Sequence, residues 1–238
     1  MKPVYLDRLS LTGADDNTLL LDLANLSTEF SFIEWALLYS PYTEGKQRNP
    51  SQRWRQEFFD MQLPGHNAIH LCGDLAFEQL LANQLPAELE YADRMQLNIN
   101  ARKPSFTTSQ VLDVYKRAMD ISPAVILQYH AGTASVITSF INSLQNVDRG
   151  RVHILMDDSR GRGQSPDNWE LPEGLEHMFC GFAGGLGPSN IEQAIVTMEA
   201  HAVPYWADME TGIRTDNEFD LHKVKQVVQA AAFWAELA

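Results

Sequence analysis

Short apolar runs and longer amphipathic stretches alternate along the whole chain. Residues 4–10 read as a strand closed by Thr12-Gly13, and Asp15 and Asp16 are placed to cap a short helix over 19–26. A second apolar run, 31–39, stops at Ser40-Pro41, and a helix follows from about residue 52 to 61. Strands are predicted at 68–72, 94–99, 123–129 and 151–157, with helices over 75–82, 108–119 and 135–144. Runs at 177–183 and 205–210 complete the set, with helices near 191–200 and 221–237. Several of the strands are continuously apolar, which suits a parallel sheet buried on both faces.

Eight such alternations of roughly 30 residues each fill the 238 residues without a linker or a low-complexity stretch. They predict a single (β/α)8 TIM barrel over residues 1–238. An open doubly wound sheet is the competing architecture, but the first strand lacks the Gly-rich dinucleotide turn that such sheets carry there.

Two of the inter-element turns have chemical content. The run Cys180-Gly-Phe-Ala-Gly-Gly-Leu-Gly-Pro-Ser-Asn190 ends a strand in glycines, and Asp208-Met-Glu-Thr-Gly212 ends the next one in the same way. Helix-start residues follow each, Pro188-Ser189-Asn190 after the first and Asp220 after the second. A strand that turns on glycine into a helix leaves backbone N–H groups converging on one spot, a usual anion site. In barrels the loops after strands seven and eight frequently form a phosphate site. Gly184, Gly185, Thr211 and Gly212 are therefore the candidate phosphate-binding residues; the plainer alternative is that glycine serves only to turn the chain.

A net charge of −13 argues against a general nucleic-acid or anionic-membrane binder, since phosphate backbones call for a basic face. It leaves room for a local phosphate pocket. Neither a signal segment nor a run of 18 apolar residues is present, so a cytoplasmic location is expected. Cys72 and Cys180 have neither disulfide-framework nor zinc spacing, and no cofactor or metal is expected.

These residues resemble the phosphoribosylanthranilate isomerases of tryptophan biosynthesis. Residues 181–195 resemble that family's strand-seven signature, and Asp208-Met-Glu-Thr-Gly-Ile-Arg214 with Asp220-Leu-His-Lys223 its eighth strand and last helix. Residues 154–169 are similar to its sixth strand and the Gly-rich loop behind it, and Arg94-Met-Gln-Leu-Asn98 to its fourth strand. The resemblance implies an Amadori rearrangement, in which a phosphorylated aminoaldose opens and becomes an aminoketose. It implies an acid at the end of strand six, which is Asp157 or Asp158 here. It also implies a cysteine base at the end of strand one, where this chain carries Leu9 or Ser10.

Asp7, two residues earlier, and the His70/Cys72 pair of strand three are the replacement candidates for the base. Arg48 sits where the family has an Arg-rich substrate loop. Gln96, His70 and Arg214 complete the expected substrate contacts, and Arg160 and Arg162 flank the same mouth. The absent cysteine keeps two other readings open: a catalytically silent relative that binds a phosphosugar, or a different phosphosugar isomerase or epimerase.

Overall fold

A computed structural model describes residues 5–99, 105–157, 170–171 and 173–235. Its parallel strands follow one another around a closed barrel in chain order: β1 (Leu6–Thr12), β2 (Ile33–Tyr39), β3 (His66–Cys72), β4 (Arg94–Asn98), β5 (Ala124–Tyr129), β6 (Val152–Met156), β7 (Phe179–Ala183) and β8 (Tyr205–Met209). β8 pairs back onto β1, with Ser10 opposite Asp208 and Leu11 opposite Met209. The described helices are α1 (Leu20–Glu29), α2 (Gln52–Asp60), α3 (Asp74–Leu81), α4 (Thr108–Ile121), α5 (Ala134–Ser143), the short α6 (Asn146–Arg149), α7 (Ile191–Met198) and α8 (Leu221–Ala235). The predicted TIM barrel is thus observed.

Strand alternation divides the buried residues into two cores. Leu9, Leu11, Leu37, Ile69, Leu71, Leu97 and Phe182 belong to the outer core that packs against the helices. Each helix supplies a matching stripe; α8, for example, buries Val224, Val227, Val228 and Ala231, a spacing of three and four. The opposite faces of the strands fill the barrel. A small apolar plug of Ile126, Leu155, Ala183 and Trp206 lies there. Gly181 makes room for it, since a Cβ at that position would fall 2.0 Å from the Trp206 ring.

Beside the plug, the barrel interior holds a fully buried ion pair. Arg94 Nε donates to Glu34 Oε2 at 2.8 Å, and the guanidinium stacks over Trp206, 4.4 Å from the ring centroid. Ser10 Oγ donates to the same carboxylate, and Arg8 stands 3.5 Å from it. Burial would raise the pKa of Glu34, but Arg94 and Arg8 outweigh it and hold the carboxyl down at about 2.

Several local expectations are corrected. β1 runs on to Thr12, so the strand ends two residues later than its apolar pattern suggested. Asp15 and Asp16 do not cap α1, whose N-cap is Leu19 with no side-chain bond. Both acids are engaged elsewhere: Asp15 accepts from Arg48 N at 2.7 Å and Asp16 from Ser51 N at 2.7 Å. After β8 the chain does not enter a helix directly. A single 3-10 turn over Thr211–Ile213 and a two-stranded hairpin, Arg214–Thr215 with Glu218–Phe219, come first. Asp220 then caps α8, accepting from His222 N at 2.9 Å and Lys223 N at 3.2 Å. Among the described residues no helix is long and apolar enough to cross a membrane.

Candidate active site

The C-terminal ends of β6, β7 and β8 enclose a shallow cleft of about 60 Å³, lined among others by Asp157, Gly184, Gly185, Asp208, Glu210, Thr211 and Gly212. All four glycine-turn residues singled out in the sequence therefore meet at one place. Gly184 and Gly185 have φ of 115° and 61°, a succession open to glycine at little cost. Asn190 fixes the turn by donating to Gly185 O at 2.9 Å and accepting from Gly187 N at 2.9 Å. The two turns touch backbone to backbone: a Cβ on Gly212 would lie 1.9 Å from the carbonyl oxygen of Leu186. The cleft is thus a backbone surface, and its described lining contains three carboxylates and no cation.

Asp157 is the next residue after β6, buried, on the inward face set by His153 and Leu155. Its Oδ2 accepts from Gln128 Nε2 at 2.7 Å. Asp158, the alternative in the sequence, lies outside the described residues, as do Arg160 and Arg162. Across the cleft stands Asp208, which the motif reading quoted without giving it a role. It is 8% exposed, and Thr12 Oγ1 donates to its Oδ1 at 2.8 Å. Burial pushes its carboxyl up to about 7; the Thr12 bond works against this, and the nearby charges of Glu210, Glu34 and Asp157 add to it.

The candidates for a base fare differently. Asp7 is a correction: it sits near the N-terminal start of β1, exposed, with Arg8 Nε 2.6 Å away, and is not brought to the cleft. Leu9 points into the outer core, and Ser10 faces inward but is bound to Glu34 below the mouth. The mouth residue of strand one is Thr12. His70 and Cys72 do share an inward face, as their spacing required. Burial holds the imidazole down at about 4 and pushes the thiol up to about 12. Cys72 Sγ also accepts from Asn98 Nδ2 at 3.3 Å.

Gln96 faces inward beside His70 in the register and donates to Asn98 Oδ1 at 2.7 Å. Arg48 and Arg214 reach the β1–β8 side of the mouth, where both are held in protein contacts. Arg48, at φ 74°, pairs with Glu210 at 2.7 Å and bonds Asn217 Oδ1 at 2.7 Å. Arg214 is buried, donating to Gly13 O at 2.6 Å and to Asn217 O at 2.6 Å, so it ties loops together instead of reaching into the cleft. Among the described residues no group of three or more His, Cys, Asp and Glu side chains is placed to hold a metal ion.

Comparison with known proteins bears on this geometry. The family model for N-(5'phosphoribosyl)anthranilate (PRA) isomerase matches residues 112–230, half of the chain and all of the cleft-forming strands. The chain belongs to the PRA isomerase family. The N-(5'-phosphoribosyl)anthranilate isomerase of Lacticaseibacillus casei is 24% identical over 168 residues, covering 71% of this chain and 79% of that protein. The corresponding enzyme of Bacillus cereus (strain G9842) is 40% identical over 67 residues, 26% of this chain and 29% of its own. Among solved structures, the phosphoribosyl anthranilate isomerase of Thermus thermophilus superposes with a TM-score of 0.59 at 15% identity, over 95% of this chain and 98% of that one. A xylose isomerase domain protein from Planctomyces limnophilus gives 0.56 at 12% identity, over 99% and 100%. Those two likenesses speak to the fold; PRA isomerase membership rests on the family model.

Sequence reasoning missed Thr12 and Asp208. The signal was available in the period of two: Asp208 follows Trp206 on one strand face, and Thr12 follows Ser10 on another.

Proposed function

We propose that the protein isomerises a phosphorylated aminosugar by an aldose–ketose rearrangement of the PRA isomerase type, with Asp157 as the acid that opens the sugar ring. The observation that carries this reading is the meeting of Gly184, Gly185, Thr211 and Gly212 with two inward carboxylates, Asp157 and Asp208, in one cleft. The turns supply a backbone cradle for phosphate, and the carboxylates supply groups for proton transfer within reach of a bound sugar.

A phosphosugar-binding relative without turnover is the second reading, and one observation favours it: strand one contains no cysteine and carries Leu9 or Ser10 where the resemblance calls for one. The two separate on one assay. Purified protein is incubated with N-(5'-phosphoribosyl)anthranilate, the loss of its fluorescence is followed, and inorganic phosphate binding is titrated in parallel. Turnover above buffer is expected. Phosphate binding without turnover would leave the silent relative, and the absence of both would overturn the cleft as a phosphosugar site.

A further inference from the structure

We propose that Asp208 is the base that takes the C2 proton of the opened substrate, with Thr12 as its positioning residue; this rests on the isomerase reading above. The carboxylate lines the cleft opposite Asp157, and one of its oxygens is fixed by the 2.8 Å bond from Thr12. The other acids and bases near the mouth, among the described residues, are excluded by their surroundings. Glu210 is paired with Arg48 at 2.7 Å, and Glu34 is held by Arg94 below the mouth. Cys72 is kept as the thiol by burial, and His70 is a weak base for the same reason. Accepting a proton also relieves Asp208 of repulsion from Glu210, Glu34 and Asp157, so the transfer is favoured by the same carboxylates that crowd it.

The step balances without an outside reagent. Asp157 gives its proton to the ring oxygen as the C1–O bond breaks, and the amine lone pair forms C1=N. Asp208 removes the proton from C2; the C–H electrons become the C1=C2 bond, and the C=N pair returns to nitrogen. The resulting enolamine takes the proton back from Asp208 at C1, while the C2 hydroxyl proton restores Asp157 through solvent. The product is the aminoketose, and both carboxyls end as they began.

The test assays wild type, Asp208→Asn and Thr12→Val with N-(5'-phosphoribosyl)anthranilate, with circular dichroism to confirm folding. Asp208→Asn is expected to lower kcat by about 10²-fold or more, with inorganic phosphate binding retained. For wild type the kcat/KM profile is expected to have an acidic limb near pH 7. Thr12→Val removes a bond that favours the ionised form, so its limb should move to higher pH, which loss of packing alone would not do. A folded Asp208→Asn variant with kcat within about threefold of wild type would overturn Asp208 as base and leave the isomerase reading standing. No turnover by the wild type overturns both. If Asp208→Asn does not fold, an unmoved limb in Thr12→Val overturns the assignment by itself.

Discussion

Two of the carboxylates buried in the barrel interior, Glu34 and Asp208, are treated in opposite ways. Glu34 lies below the mouth with a guanidinium on it, a second arginine nearby and a serine hydroxyl; it is ionised down to about pH 2. Asp208 lies at the mouth with one hydroxyl and three neighbouring acids, and its carboxyl rises to about 7. Burial penalises charge in both places; what differs is whether a cation was buried with it. A carboxylate locked in one state holds a structure together. One left near its titration point can exchange a proton.

The comparison is broken most severely at its lower member. Arg94→Met leaves Glu34 buried without its main partner and should cost about 3–5 kcal/mol in urea unfolding. Adding Glu34→Leu should recover most of that loss, because replacing both partners with apolar groups is often nearly neutral. If the single variant unfolds at the wild-type urea midpoint, the ion pair is not what holds this part of the barrel.

The second effect is a pH dependence of opposite sign for the two groups. Glu34 has a lowered folded pKa, so its contribution is present above about 4.5 and is lost as pH falls toward about 2. Asp208 has a raised one, so the folded state favours its proton; stability is present below about 4 and is lost as pH rises toward about 7. The change amounts to the order of 3 kcal/mol across that window. His70 and His153, both held low by burial, push the other way over much of it. The readout is therefore the difference in unfolding free energy between wild type and Asp208→Asn, which should decline with pH from about 4 to 7. A flat difference would show that Asp208 titrates normally.

The third and smallest effect concerns the backbone of the cleft. Gly212→Ala drives a methyl into the Leu186 carbonyl, forcing the two turns apart. A loss of about 1–3 kcal/mol in thermal unfolding is expected, together with weaker inorganic phosphate binding. Unchanged phosphate affinity would detach the turns from anion binding.

The barrel was legible in the chain because the strands announce themselves: β2 is buried at every position and apolar at every one but Glu34, and β1, β2, β3 and β7 stop at or beside a Gly or Pro. The glycine turns were legible for the same local reason. The base was not. Residues 4–10 look like a complete strand, whereas the pairing of Leu11 with Trp35 and Thr12 with Ala36 carries β1 two residues further. That extension replaces Ser10 with Thr12 at the mouth. It depends on contacts with β2 and β8 that no local pattern encodes. Asp7 has the right chemistry two residues before the expected base, but its place near the start of the strand removes it. Arg214 is a similar case: a cation beside a phosphate turn looks like a ligand, until Gly13 and Asn217 are seen to take up its N–H groups.

The bond from Thr12 to Asp208 has a kinetic consequence. It joins residues 196 apart in the chain, across the seam where the last strand meets the first. Such a contact closes one of the longest loops in the molecule and forms only when the sheet has become a cylinder. A half-barrel or an open sheet could therefore hold the glycine turns and still lack an oriented acceptor. During refolding, proton-transfer competence would arrive last, after secondary structure and the outer core, as a report that the ring has closed.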